Sequence, residues 1–326
     1  MTVVQIKGRC VREWSAFSQC DLCITACPTG AVSADGRRIQ IAENLCTDCG
    51  VCMRVCPTEA LVVSPPYSEI AKRISVEDGA AEIECGVHVA CIGHIHEALI
   101  LHLKSQGAKS VTVVHCERCP KGVDVEKERR RIEKLGVSFR EKPGGAAIRV
   151  EHRQRPKQLE LAAKYVHQPQ IVKREDVWLL RGIPEKRKLL LDAVRRLGTI
   201  DPVRDMFGGK MITDACQYHE TCAVLCPTGA LRTDGKGAIY YRADLCVKCK
   251  TCLVSCAAGA IQPTDVEEHE VLNGVERTLV RVNLRRCVEC GALFADRDGH
   301  SFCPACRRLK EELKEIFGPY RDVTHI

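Results

Sequence analysis

Residues 46–57 read Cys46-Thr47-Asp48-Cys49-Gly50-Val51-Cys52-Met53-Arg54-Val55-Cys56-Pro57, four thiols separated by two, two and three residues and closed by a proline. This spacing lets three thiolates close on one iron–sulfur cubane, while the fourth, set back by a longer gap, crosses over to a second cluster. Zinc on cysteine pairs is the plainer alternative. An unbroken run of four thiols with two-residue gaps argues against it.

Working outward, the run belongs to a unit that occurs twice. Cys246, Cys249, Cys252 and Cys256 repeat the spacing, with Ala257 in place of the proline. Upstream, Cys27-Pro28-Thr29-Gly30-Ala31-Val32 returns as Cys226-Pro227-Thr228-Gly229-Ala230-Leu231, and Asp35-Gly36 returns as Asp234-Gly235. Asp-Gly between extended segments is a hairpin signal, because the turn needs residues that tolerate positive φ. Each copy reads as a compact unit of short strands and short helices, module one over 1–66 and module two over 209–265.

Over residues 8–65 and 210–263 the chain resembles the two-cluster bacterial ferredoxins and the polyferredoxin subunits of multisubunit oxidoreductases. The resemblance implies crossover ligation: Cys46, Cys49, Cys52 and Cys27 hold one cubane, and Cys246, Cys249, Cys252 and Cys226 its counterpart. The other cluster of each module takes Cys56 or Cys256 with three upstream ligands, and there both copies depart from the family pattern. In module one Phe17 stands at the first expected position, leaving Cys20 and Cys23, so a lengthened loop is expected to bring in Cys10. In module two Cys216 and Cys222 stand where expected and His219 takes the middle position. Imidazole ligation would leave that centre less negative and raise its potential; a three-iron cluster or a non-protein ligand are the alternatives.

Residues 80–145 have a different pattern. Ala81–Cys85 and Val111–His115 read as buried strands, with an amphipathic helix near His94–Gln106, a charged helix near Glu126–Leu135 and a last strand near Val137–Arg140. This alternation predicts a small parallel α/β unit with Cys85, Cys91, Cys116 and Cys119 near the carboxyl ends of its strands. The arrangement resembles the iron–sulfur delta subunits of hydrogenase–heterodisulfide reductase complexes and thioredoxin-like [2Fe-2S] proteins. A [2Fe-2S] cluster, a zinc ion and a redox-active dithiol are the three readings of this set. His88, His94, His96 and His115 lie nearby and read as packing or surface residues.

Residues 146–208 are rich in Arg, Lys and Gln and read as a linker, with a docking helix over Glu185–Leu197 stopped by Gly198. The tail, 280–312, carries Cys287-x2-Cys290 and Cys303-x2-Cys306, a zinc-ribbon spacing. Mononuclear iron is the alternative, disfavoured because Arg307 replaces the glycine usual after the last rubredoxin cysteine. These sets take all 23 cysteines and leave none for disulfides.

Composition narrows the function. Aromatics are 4% of 326 residues, so metal is expected to do part of the folding work. The net charge of +7 suits an acidic protein surface at least as well as nucleic acid, and no nucleic-acid partner is expected. The first residues lack an apolar export signal, and no stretch is long enough for a transmembrane segment. A cytoplasmic protein is expected, with peripheral association to a membrane complex compatible. No dinucleotide fingerprint, phosphate loop or nucleophile elbow occurs.

The expected fold is therefore α+β: two ferredoxin-like 2[4Fe-4S] modules, a small parallel α/β domain between them and a C-terminal zinc ribbon. The expected role is electron transfer through four [4Fe-4S] clusters, between a catalytic oxidoreductase subunit and a redox acceptor. A sulfur-handling or redox enzyme using the middle cysteines is the alternative, as is a redox-sensing or assembly protein.

Overall fold

The computed structural model describes residues 3–142, 165–174, 177–296 and 299–317. The part of the expected linker over 146–164 lies outside the described residues.

Both modules rest on an antiparallel strand pair. Val3–Gln5 pairs with Leu61–Val63, and Gly209–Ile212 pairs with Ile261–Thr264. Corresponding backbone bonds continue each pair: Ile6 N–H to Ala60 O at 2.8 Å, Thr213 N–H to Ala260 O at 2.9 Å. The expected hairpin forms in each, Val32–Asp35 with Arg38–Ile41 and Leu231–Thr233 with Ala238–Arg242. Glu276–Arg281 adds a third strand to the second hairpin. The cysteine-bearing helices are single turns, Leu22–Thr25, Val51–Val55, Thr221–Val224 and Thr251–Val254. Helices this short do not hold themselves together in water.

The middle region has more structure of its own. Its sheet runs in the order Val76–Glu77, Ala80–Glu84, Ser110–Cys116, Ser138–Lys142, with the first pair antiparallel and the next two parallel. Parallel neighbours need a crossover, and Glu97–Ser105 and Val125–Glu133 supply the helices. The second helix starts on Asp124, whose carboxylate accepts from Lys127 N–H at 3.0 Å.

The linker differs from its sequence reading. The helix forms over Glu185–Leu197 and stops at Gly198, whose φ of 74° suits a left-handed cap. Before it stands an antiparallel hairpin, Val166–Arg174 with Val177–Pro184, that periodicity did not announce. Its pairing is anchored by neighbours far away in sequence: Leu180 N–H donates to Gly8 O at 2.8 Å and Gly182 N–H to Pro227 O at 2.9 Å.

One continuous apolar core, including Met53, Tyr67, Ile83, Leu99, Val113, Leu190, Val194 and Tyr241, runs from module one through the middle sheet to module two. Glu97–Ser105 packs along Glu185–Leu197 at its centre. Cys287, Phe294 and Cys303 form a separate small core in the tail, beside the pair Leu284–Arg286 and Leu293–Ala295.

Candidate metal centres

In module one, Cys52 sits amid Cys49, Cys46, Cys23 and Cys56, and burial pushes its thiol well above the ordinary range. Cys27 lies beside Cys49. Cys10, Cys20, Cys23 and Cys56 line a single cavity walled by Val11, Ile39 and Leu61. Burial first, then neighbouring thiols, push Cys10 and Cys23 up to about 12. Such thiols stay protonated without metal, so cluster assembly must release their protons.

Cys10 reaches this cavity because of the strand frame. It follows Ile6 by four residues, as Cys216 follows the equivalent Thr213 by three. The extra chain of module one, including the turn Val11–Trp14, lies after Cys10 and not before it. Phe17 is 69% exposed and lines no part of that cavity.

In module two, Cys226, Cys246, Cys249 and Cys252 line a cavity with Lys210 and Tyr241. Cys222 lies beside Cys216, Cys256 and Cys226, and its burial raises the thiol to about 12. His219 is exposed on the turn between Cys216 and Cys222. The two modules match at their last cysteine: Ala60 N–H donates to Cys56 Sγ at 3.2 Å, and Ala260 N–H to Cys256 Sγ at 3.3 Å.

Cys85, Cys91, Cys116 and Cys119 line one cavity at the carboxyl ends of the middle strands, together with His115 and Lys121. Burial raises Cys85 to about 12. The neighbouring Cys91 side chain draws Cys119 down to about 6.

This cavity abuts module one. The Cys91 thiol lies 3.1 Å from Cys49 O, in a donor geometry open only to the protonated thiol. A metal at Cys91 would remove that proton and with it this hydrogen bond, and the contacts between Thr47 and Lys121 would then join the two sites. Thr47 Oγ1 donates to Lys121 O at 3.0 Å, and Lys121 Nζ to Thr47 O at 2.7 Å. Gly50 has a φ of +80°, and a Cβ there would lie 2.5 Å from the His94 ring, so only glycine lets the ligand loop approach this closely.

The tail is arranged differently. Cys287, Cys290, Cys303 and Cys306 offer sulfurs within 4.8 Å of one another, the one such group of three or more donors among the described residues. Metal–sulfur bonds of about 2.3 Å in a tetrahedron place sulfurs roughly 3.8 Å apart, so this set suits a single ion. The backbone N–H groups of Cys290 and Cys303 draw Cys287 down to about 6.

Sequence reasoning missed the bridge between the modules. Glu59 accepts from Glu185 N–H at 2.6 Å and Lys186 N–H at 2.9 Å, capping the Glu185–Leu197 helix. Lys186 Nζ donates to Met53 O at 3.1 Å, Arg54 O at 2.6 Å and Cys56 O at 2.5 Å. The next residue reaches module two: Arg187 donates to Met206 O at 2.8 Å and to Cys246 O. A direct contact, Ser15 Oγ to Ser255 Oγ at 2.7 Å, also joins the modules. Two cations in the first turn of a helix oppose its dipole, a signal that they have partners elsewhere.

One family model, described as a 4Fe-4S dicluster domain, matches residues 8–60. None of the curated proteins compared with the chain matches it. The chain thus carries a ferredoxin-type domain at its N-terminus and is an iron–sulfur electron-transfer protein with a further four-cysteine site near its C-terminus. Among the described residues no helix is long and apolar enough to cross a membrane.

Proposed function

We propose that this chain is the electron-relay subunit of a multisubunit oxidoreductase, with a hydrogenase, formate dehydrogenase or heterodisulfide-reductase-like catalytic partner and a separate redox acceptor. Four [4Fe-4S] clusters occupy Cys27/Cys46/Cys49/Cys52, Cys10/Cys20/Cys23/Cys56, Cys226/Cys246/Cys249/Cys252 and Cys216/Cys222/Cys256 with His219. A [2Fe-2S] cluster fills the middle cavity and zinc fills the tail. Clusters pass single electrons, so a two-electron substrate needs a site on another subunit.

The observation that carries this reading is the unbroken series of contacts between ligand loops. The middle cavity touches module one through Lys121 and Thr47. Both modules are then clasped by consecutive residues, Lys186 on Cys56 O and Arg187 on Cys246 O. The order of sites is middle centre, module one, module two.

The test is anaerobic purification followed by iron, sulfide and zinc analysis and identification of co-purifying subunits. About sixteen cubane irons, about one zinc and a partner with a two-electron active site are expected. Fewer than about twelve irons would defeat the four-cubane reading. Substrate turnover by the isolated chain would defeat the relay reading.

A further inference from the structure

We propose that His115 is a ligand of the middle centre, through Nε2, making it an iron–sulfur cluster of mixed thiolate and imidazole ligation. This rests on the middle cavity holding a [2Fe-2S] cluster.

Four histidines surround the cavity, and their ring nitrogens distinguish them. His88 Nδ1 accepts from Glu84 N–H at 3.0 Å, His94 Nδ1 from Ala90 N–H at 3.4 Å and His96 Nδ1 from Ala98 N–H at 3.1 Å. A backbone amide can only donate, so in these three neutral rings the proton sits on Nε2 and no lone pair remains there. His115 is reversed. Its Nδ1 lies 3.0 Å from Cys116 O, which can only accept, so Nδ1 carries the proton and Nε2 carries a lone pair.

That lone pair has no partner. His115 is 1% exposed, and its Nε2 is buried with no hydrogen bond. An unsatisfied buried acceptor costs about 1–3 kcal/mol. His115 is among the residues that line the cavity holding Cys85, Cys91, Cys116 and Cys119. Metal-bound histidines characteristically give their other N–H to a carbonyl, which fixes the tautomer. His94 Nε2 is also buried and unpaired, but it bears a proton and so serves as the control.

The cavity then offers five donors to a cluster that takes four. His115 and Cys116 are consecutive on one strand, and successive strand side chains leave on opposite faces. Cys116 lines the cavity as well and lies beside Cys85, so His115 takes one of the four places, and the Cys116→Ser variant reads whether Cys116 is the thiol it displaces.

The test uses the full chain, purified anaerobically with histidine labelled by nitrogen-15, reduced and studied by pulsed EPR at a temperature where the cubanes relax too fast to be seen. One strongly coupled histidine nitrogen is expected. It should vanish in His115→Ala and survive in His94→Ala and Cys116→Ser. His115→Cys keeps a full donor set should the alanine variant fail to fold. It should retain the cluster, lose the coupling and show a lower midpoint potential, since thiolate adds negative charge. A cluster without nitrogen coupling, or coupling that persists in both His115 variants, overturns the proposal alone. A parent with no such signal, cubane iron alone and a second zinc overturns the [2Fe-2S] reading as well.

Discussion

Module one and module two share a frame and differ in how they fill it. The strand pairs, the continuing bonds at Ile6 and Thr213 and the amide-to-sulfur bonds at Cys56 and Cys256 recur in both. What differs is the chain between the first and second ligands proposed for the cluster that takes Cys56 or Cys256. Module one carries nine residues between Cys10 and Cys20, whereas module two carries two between Cys216 and His219. If Cys10 and Cys216 are equivalent ligands, as proposed, ligand position follows distance from the strand frame, and the loop after it is free to grow. In module one that growth reaches the neighbour: Ser15 meets Ser255, and Trp14 and Phe17 face Thr221 and Leu225 across a cleft.

The sharpest way to break this comparison is to test position against count. Cys10→Ser should remove one cubane, about four irons of about sixteen. Adding Phe17→Cys, which restores the spacing counted from Cys20, should not recover them, because that side chain points to solvent. Iron and sulfide analysis of the single and double variants decides it. Recovery of a full complement by the second change would mean that spacing, and not the frame, chooses the ligand.

The clasp between the modules is also unequal. Lys186 has three N–H groups meeting three carbonyls, beside the buried Glu59 carboxylate. Arg187 meets two carbonyls and stacks 4.6 Å from the Phe207 ring centroid. Each orphaned buried carbonyl costs about 1–3 kcal/mol, and losing Lys186 would also take from Glu59 the neighbouring charge that most offsets its burial. Lys186→Met should therefore lower the anaerobic melting temperature more than Arg187→Met. Equal losses would mean that the two ends of the clasp are equivalent after all.

A smaller effect follows from Glu185 on the module-one side. Burial, then the neighbouring Glu59, raises its carboxyl from 4.5 to about 7. The folded state binds this proton more tightly than the unfolded chain, so the contribution is present below about pH 4.5 and is lost as pH rises through about 7. Melting temperature should fall between about pH 5 and about pH 8, by the equivalent of up to about 3 kcal/mol. Glu185→Gln should flatten that profile. A parent profile already flat over this interval would remove Glu185 from the account.

How much of this was legible in sequence depends on the kind of residue. Thiols at fixed gaps announce themselves, because metal geometry restricts the spacing whatever the fold around it. The Glu185–Leu197 helix was readable from its pattern and from Gly198. The hairpin Val166–Pro184 was not, since its strands contain Pro169 and Gly182 and depend on Gly8 and Pro227 for anchorage. The roles of Lys186 and His115 were equally hidden. A lysine beside an arginine reads as solvated surface, and a histidine in a strand reads as packing. Only the carbonyls around the one and the tautomer of the other set them apart.

His219 tests the comparison at its finest grain, since it stands where module one has Cys20 and differs from it by one charge. The imidazole is exposed, so it can turn towards the Cys216/Cys222/Cys256 site without first leaving a packed environment. A neutral nitrogen in place of a thiolate makes the cluster less negative in both oxidation states, which favours the reduced form and raises the potential. The shift should exceed any difference made by the amide bonds to Cys56 and Cys256, which are matched between modules at 3.2 and 3.3 Å. That cluster should then be the most easily reduced of the four cubanes and the sink of the relay. An anaerobic redox titration followed by EPR should show its midpoint falling in His219→Cys, with module one unchanged. His219→Ala should yield a three-iron or labile cluster in module two alone. Coincident midpoints in the parent and the cysteine variant would show that His219 does not bind iron, and the sink would have to be sought in module one.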